Sequence, residues 1–350
     1  MASMETRYKP IKHFTREELT SLMQELEQPK FRAKQLYEWL YLRHVRSYDE
    51  MTNLPKQLRA RLQEEHPLTR PVIAERRISL DGTEKYLFRL DDDTLVESVA
   101  IPSPDGDRLS VCVSTQVGCA MECAFCATGG QGFTRNLAAG EIVDQVLLAQ
   151  EACGKRVTNI VFMGQGEPFL NYDATRAALH ILNDPQGIAI GARHITVSTC
   201  GILSGIGRFS EEPEQFVLAI SLHAARQSVR DQLMPRVSNQ PLTALKSTLQ
   251  RYVEEKHRRI SLEYLLLAGI NDSAADLEAL LAFCDGLFCH INFLPMNPVA
   301  GSPYQPSPAS VVTQWMNACE AAGIEATLRT SRGADIEGAC GQLHNSYLNN

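Results

Sequence analysis

Three cysteines crowd into eight positions, Cys119-Ala-Met-Glu-Cys123-Ala-Phe-Cys126. Thiolates spaced C-x3-C-x2-C can share one inorganic iron–sulfur cluster, for which soft sulfur ligands are suited. A tetrahedral zinc site needs a fourth ligand, and no His or Cys follows at finger-like spacing, so zinc is the weaker reading and a set of inert buried thiols weaker still. Three protein ligands on a [4Fe–4S] cluster leave one iron open. That arrangement suits a substrate or cofactor that must itself coordinate the metal.

Other polar groups stand at the ends of strand-like runs. Gly164-Gln165-Gly166-Glu167-Pro168 follows NIVFM; its glycines let a ligand approach the backbone, and Glu167 is placed to accept from an ammonium group. The same residues also read as an ordinary tight turn. Ser198 in ITVST, Ser221-Leu222-His223 closing FVLAISLH, and Asn297 in LPMNP sit at or just beyond three further run ends. Singly they would be satisfied structural polar groups, but in series they face one rim, and we assign them to cofactor contacts. Cys112 in SVCVST, Glu97 in LVESV and Cys340 in GACGQL remain open at this level. They read equally as a core thiol, a surface strand residue and an idle loop thiol.

The elements that must position these groups follow from periodicity. Over residues 15–65, Thr15 opens a polar first turn with Glu17 and Glu18, and Phe31, Leu36, Trp39 and Leu40 recur near helical spacing, which predicts a small all-helical region. From about Ile73 to Val99 short alternating runs flank Asp81-Gly82, the signature of hairpin strands. From Val111 onward, β-rich runs alternate with helical ones: TNIVFMG, HITVSTC, FVLAISLH, ISLEYLLLAG, HINFLP and IEATLRT. Such a βα series predicts an α/β fold with a parallel sheet, doubly wound or barrel-like. No Gly-x-Gly-x-x-Gly opens the first unit, and polar groups just after strand ends suit the C-terminal rim of a barrel. The Pro-rich stretch 297–308 reads as a loop across that rim, and GACGQLHN lies outside any regular element. The expected division is a helical accessory region over 1–75, linking strands over 76–110, a barrel over 111–330, and a C-terminal loop and tail over 331–350.

Bulk properties bound the partners. The 350 residues carry a net charge of −7, which argues against non-specific coating of nucleic acid, because phosphate affinity comes from Lys and Arg. Residues 1–77 hold 15 Lys+Arg against 11 Asp+Glu, hence +4, which leaves −11 on the rest. A solvated helical surface and a docking module for a polyanion both fit that asymmetry. No apolar run approaches the roughly 20 residues of a membrane span, and the polar start MASMETRYKPIKHF lacks a signal peptide's apolar core. Ten cysteines dispersed over so long a chain, three of them clustered, favour a reducing cytoplasm over a disulfide framework.

The C-x3-C-x2-C spacing with Phe125 before the last cysteine resembles the radical S-adenosylmethionine superfamily. Further segments, among them KFRAKQLYEWLY, VCVSTQVGC, FMGQGEPFLNYD, LPMNPVAGSPY and RGADIEGACGQL, resemble the RlmN/Cfr family of radical RNA methyltransferases from about residue 15 to residue 344. The resemblance implies a partial (βα)6 barrel with an N-terminal helical, RNA-binding domain. It implies one [4Fe–4S] cluster on Cys119, Cys123 and Cys126, and two S-adenosylmethionine molecules per turnover, contacted by Gly166, Glu167, Ser198, Ser221, Leu222, His223 and Asn297. Cys340 would take a methyl group from the first cofactor molecule, and a radical from the second would activate it for addition to an adenine ring. Cys112 would resolve the resulting protein–RNA adduct through a transient disulfide with Cys340, and Glu97 would accept the ring proton. Met163 also falls on a family position. The implied substrate is C2 of an adenosine in 23S ribosomal RNA and in transfer RNA, with adenine C8 or another RNA as the alternative, and the implied reductant is a flavodoxin-like donor. A non-catalytic iron–sulfur protein would need neither Cys112 nor Cys340. Gln165 and Ala127-Thr128-Gly129-Gly130 depart from the family's usual residues.

Overall fold

The computed structural model describes residues 9–299 and 301–343; the end of the C-terminal tail, 344–350, and residues 1–8 of the helical region lie outside the described residues. Three helices, α1 (Arg16–Glu25), α2 (Phe31–Tyr41) and α3 (Lys56–Glu65), occupy the first part of the chain. Thr15 caps α1 reciprocally with Glu18: its hydroxyl accepts from the Glu18 amide at 3.1 Å, and the Glu18 carboxylate accepts from the Thr15 amide at 2.6 Å. Leu36, Trp39 and Leu40 of α2 are buried, whereas Phe31 is 55% exposed. It stands at the first helical position, ahead of the buried stripe, under the Arg32 guanidinium.

The strands that follow extend one ten-stranded sheet. β1 (Val72–Ile78), β2 (Glu84–Arg89) and β3 (Leu95–Pro102) pair antiparallel, and β3 pairs antiparallel with β4 (Leu109–Cys112). The segment read as linking strands is thus an antiparallel extension of the main sheet. Next come the short hairpin strands β5 (Gln116–Gly118) and β6 (Phe133–Asn136), which form a sheet of their own. From β4 the main sheet continues in parallel through β7 (Asn159–Phe162), β8 (Ile195–Thr199), β9 (Val217–Ser221), β10 (Ile260–Leu265), β11 (Cys289–Leu294) and β12 (Ala326–Leu328).

The crossovers are α4 (Ala139–Cys153), α5 (Tyr172–Asn183), α6 (Leu203–Ser210), α7 (Gln227–Leu233) with α8 (Leu242–Lys256), α9 (Ala274–Cys284) and α10 (Ala309–Ala321). Six βα units therefore run from β4 to α10, and β1 and β12 end the sheet without pairing, so the arc stays open as a partial (βα)6 barrel. Alternation explains which residues face inward. Ile160, Val197, Ile220, Leu262 and Phe293 pack outward under the helices. The opposite face carries Cys112, Ser198, Ser221, Glu263 and Asn292, linked by the strand registers. A core-facing sheet would be apolar on both sides; this one keeps a polar interior, and the site lies there. Among the described residues no helix is long and apolar enough to cross a membrane.

Candidate active site

The hairpin β5–β6 pinches the base of the cysteine loop. Gly118 sits at φ +75°, and a Cβ there would meet the Gly132 carbonyl oxygen at 2.0 Å, so only glycine lets the two strands close. The Cys119 amide donates to that same carbonyl at 2.8 Å. Further along, the Ala124 amide donates to the Leu233 carbonyl of α7 at 2.9 Å, and Met121 and Phe125 anchor the loop in a satellite core with Leu233, Met234 and Leu265. Phe125 meets the His223 ring edge-on at 4.7 Å.

Burial pushes the Cys119 thiol up to about 12 and raises Cys126 as well. Without a cation these sulfurs stay protonated; a bound metal reverses that preference. Three thiols and no histidine or carboxylate ligand among them form an all-sulfur donor set, which suits an iron–sulfur group.

One cavity is lined by all three cysteines and by Gly166, Glu167, Ser198, Ser221, His223, Asn297 and Cys340. Gly166, at φ +101°, lies against Gln116, where a Cβ would come within 2.6 Å of side-chain carbon. Ser198 and Ser221 hydroxyls lie 3.3 Å apart on neighbouring strands. His223 is buried, which lowers its pKa to about 3, and its Nδ1 accepts from the Leu265 amide at 3.1 Å. The ring is therefore neutral in the folded protein. Glu167 is buried too, which raises its pKa, and its two oxygens accept from the Phe169 amide at 2.9 Å and the Cys200 amide at 2.7 Å. Its carboxylate thus ties the glycine turn to the end of β8 while it borders the cavity. Leu222 does not line the cavity: its side chain is in the core, and only its backbone faces the site's surroundings, where its carbonyl accepts from Arg230.

Cys340 also borders a second cavity, with Cys112, Met163 and Arg329. Burial pushes Cys112 up to about 12, and Cys340 beside it adds to the rise. Arg329, directly after β12, has a raised pKa because Cys340 lies next to it, with Glu263 and Cys112 contributing. Its Nη1 reaches Met163 Sδ at 3.9 Å. Glu97 lies on β3 and borders neither cavity. It is buried, and its Oε1 pairs with Lys85 Nζ at 2.7 Å. Val99 is the direct cross-strand partner of Cys112, which makes Glu97 the diagonal neighbour of Cys112 on the same face. Diagonal pairs stand about 7–8 Å apart at the backbone.

The loop bearing Cys340 is held from both sides. Asp81, in the β1–β2 turn, accepts from the Gly333 amide at 3.0 Å, and Ser79 donates to Asp335 at 2.6 Å. Asn297 donates to the Cys340 carbonyl at 3.0 Å and accepts from Ser331 at 2.6 Å. Gln342 donates to the Pro298 carbonyl at 2.8 Å, within the Pro-rich loop. The two departures from the family residues have structural roles. Thr128 donates to the Leu343 carbonyl at 2.7 Å, and Gln165 accepts from the Glu97 amide at 3.1 Å.

Arg329 and Glu263 were missed by reading the sequence for site residues. Arg329 in IEATLRT obeys the same strand-end rule as Ser198 and Asn297, so that signal was present. Glu263 lies inside a strand, where alternation alone does not distinguish an open barrel's interior from an outer surface.

The ribosomal RNA large subunit methyltransferase N-terminal domain family matches residues 11–67, and the radical SAM superfamily matches residues 113–284. A protein of Alkaliphilus metalliredigens described as "Probable dual-specificity RNA methyltransferase RlmN" is 44% identical over 335 residues, covering 95% of this chain and 94% of that protein. A relative from Heliobacterium modesticaldum with the same description is 46% identical, covering 93% of this chain and 87% of its own. A crystal structure of a radical SAM methyltransferase from Sphaerobacter thermophilus superposes with a TM-score of 0.89 at 43% identity, covering 95% of this chain and 98% of that one.

Proposed function

Because the chain belongs to the RlmN family of radical SAM RNA methyltransferases, we propose that it methylates C2 of adenosine in 23S ribosomal RNA and in transfer RNA, with Cys340 as the methyl carrier. The observation that carries this reading is the position of Cys340 between two cavities: one lined by the cluster cysteines and the strand-end polar groups, the other by Cys112. A carrier thiol must meet the methyl source on one side and the resolving thiol on the other.

Cys119, Cys123 and Cys126 would hold one [4Fe–4S] cluster, and the rim formed by Gly166, Ser198, Ser221, His223 and Asn297 would receive S-adenosylmethionine, two molecules per turnover. Together these groups supply a transferable methyl group and one-electron chemistry. The chain's own residues do the rest. Arg329 stands beside Cys340 at the end of β12 and reaches Met163 Sδ across the second cavity, so it fixes that side of the carrier loop. His223, neutral, keeps an uncharged edge against Phe125 in the cofactor wall. Once the adenine adduct has given up one electron to the centre that the three cysteines would hold, the Cys112 thiolate would attack the Cys340 sulfur, forming an S–S bond as the carbon–sulfur bond breaks and its electron pair passes to the methylene carbon, which takes up a proton to become the methyl group. Glu97 takes the ring proton, a task open to a carboxylate; Lys85 fixes its orientation. A flavodoxin-like protein would supply electrons, and the setting is the cytoplasm.

Cys340→Ala tests the assignment. The variant, reconstituted with iron and sulfide, is expected to retain the cluster absorbance of the wild type and to transfer no methyl group to RNA. Loss of the cluster with the substitution would show that Cys340 serves the metal instead.

A further inference from the structure

Arg230, on α7, is 1% exposed. Its Nη1 donates to the Ser221 carbonyl at 3.1 Å, to the Leu222 carbonyl and to Met234 Sδ at 3.5 Å, and its Nη2 donates to the Cys200 carbonyl at 2.5 Å. Its Nε is buried with no hydrogen-bond partner. Carbonyl dipoles solvate the guanidinium but do not neutralise it, and among the described residues no carboxylate pairs with it. The acidic neighbour in sequence, Asp231, instead accepts from Gln227 at 2.7 Å. A buried ion is ordinarily paired, because isolating a charge from water costs several kcal/mol.

What faces this cation is the cysteine loop. Arg230 holds the Cys200 carbonyl, and Cys200 packs with Cys119, Cys123 and Cys126 against the satellite core that Leu233 and Met234 help to form. The end of α7 is bonded to the loop through Leu233, and Met234, which Arg230 touches, lines the cavity of the three cysteines. Three thiolates on a [4Fe–4S] core leave it anionic, and one-electron reduction adds a further negative charge.

We propose that Arg230 is the fixed counter-charge of the iron–sulfur cluster: a buried guanidinium, anchored on carbonyls behind Cys123 and Cys200, that favours cluster loading and raises the cluster's reduction potential. The inference rests on the reading that the three cysteines hold that cluster. It assigns Arg230 a positioning role on charge, since net charge and hydrogen bonding around the sulfurs set iron–sulfur potentials.

The test uses the full chain, reconstituted anaerobically, in wild-type, Arg230→Met, Arg230→Gln and Arg230→Lys forms. Iron and sulfide content is measured, the midpoint is taken by dithionite titration followed by electron paramagnetic resonance, and thermal unfolding is recorded with and without the cluster. Met and Gln are expected to shift the midpoint to more negative potential and to shrink the rise in Tm on loading, while Lys retains both. Gln, which keeps donors for the carbonyls, covers the case in which Met does not fold. Neutral variants that load fully with the wild-type midpoint would overturn the proposal, as would a Lys variant that loses the cluster along with them. Wild type that binds no iron and sulfide would instead remove the cluster reading itself.

Discussion

At the scale of single residues, the chemistry rests on thiols whose surroundings differ. Cys112 is held up at about 12 by burial, so in the proposed reaction it is a thiol that must give up its proton before it resolves the adduct. Cys112→Ala should therefore trap the covalent protein–RNA species after one partial turnover, seen as an RNA-dependent band resistant to denaturation. Product release at the normal rate would assign resolution to another group. Cys340 has Arg329 on one side. Removing that cation in Arg329→Met, which also loses the contact to Met163 Sδ, should slow methylation of Cys340 about tenfold, the equivalent of ~1.4 kcal/mol, as measured by mass spectrometry of the C-terminal peptide. An unchanged rate would mean that the guanidinium does not act on this sulfur. The cysteine motif, the glycine turn and the strand-end polar groups were legible because chemistry and spacing coincide in them. Leu222 was drawn into the cofactor set by its neighbours Ser221 and His223, although its side chain alternates to the core face. The Lys85–Glu97 pair and the buried Arg230 were not legible, because a side chain's counter-charge comes from elements distant in the chain.

At the scale of elements, each strand of the parallel arc delivers a polar group to the rim, and the helical region docks onto that arc through a buried ion pair. Lys12, just before α1, pairs with Asp144 of α4, both side chains 3% exposed. Breaking a buried pair strands a charge, so Lys12→Met should cost ~3–5 kcal/mol in denaturant unfolding, whereas Lys12→Met with Asp144→Leu should recover most of it. A loss below ~1 kcal/mol for the single variant would show that the two regions are not coupled there. Helical and strand periods were readable along the chain. The hairpin β5–β6 was not: strands of three and four residues with Phe133 exposed carry no alternation strong enough to register.

At the scale of the whole molecule, the β1–β2 turn, the Pro-rich loop and the cysteine loop converge on the Cys340 segment from positions some 250, 40 and 210 residues away in sequence. Reading the sequence placed the Pro-rich loop on the rim, but the grip of Asp81 and Ser79 on residues 333–335 requires the sheet to be assembled first. The result is one open barrel in which a single loop thiol stands between the wall that carries Cys119, Cys123 and Cys126 and a second thiol, Cys112. The claim that this geometry serves RNA methylation is tested most directly by product analysis. The reconstituted enzyme would be given S-adenosylmethionine, a reductant and total RNA from cells lacking the gene, and modified nucleosides would be read by mass spectrometry. A gain of 2-methyladenosine is the expected result; 8-methyladenosine would move the target carbon, and cofactor consumption with no methylated nucleoside would contradict RNA methylation by this enzyme.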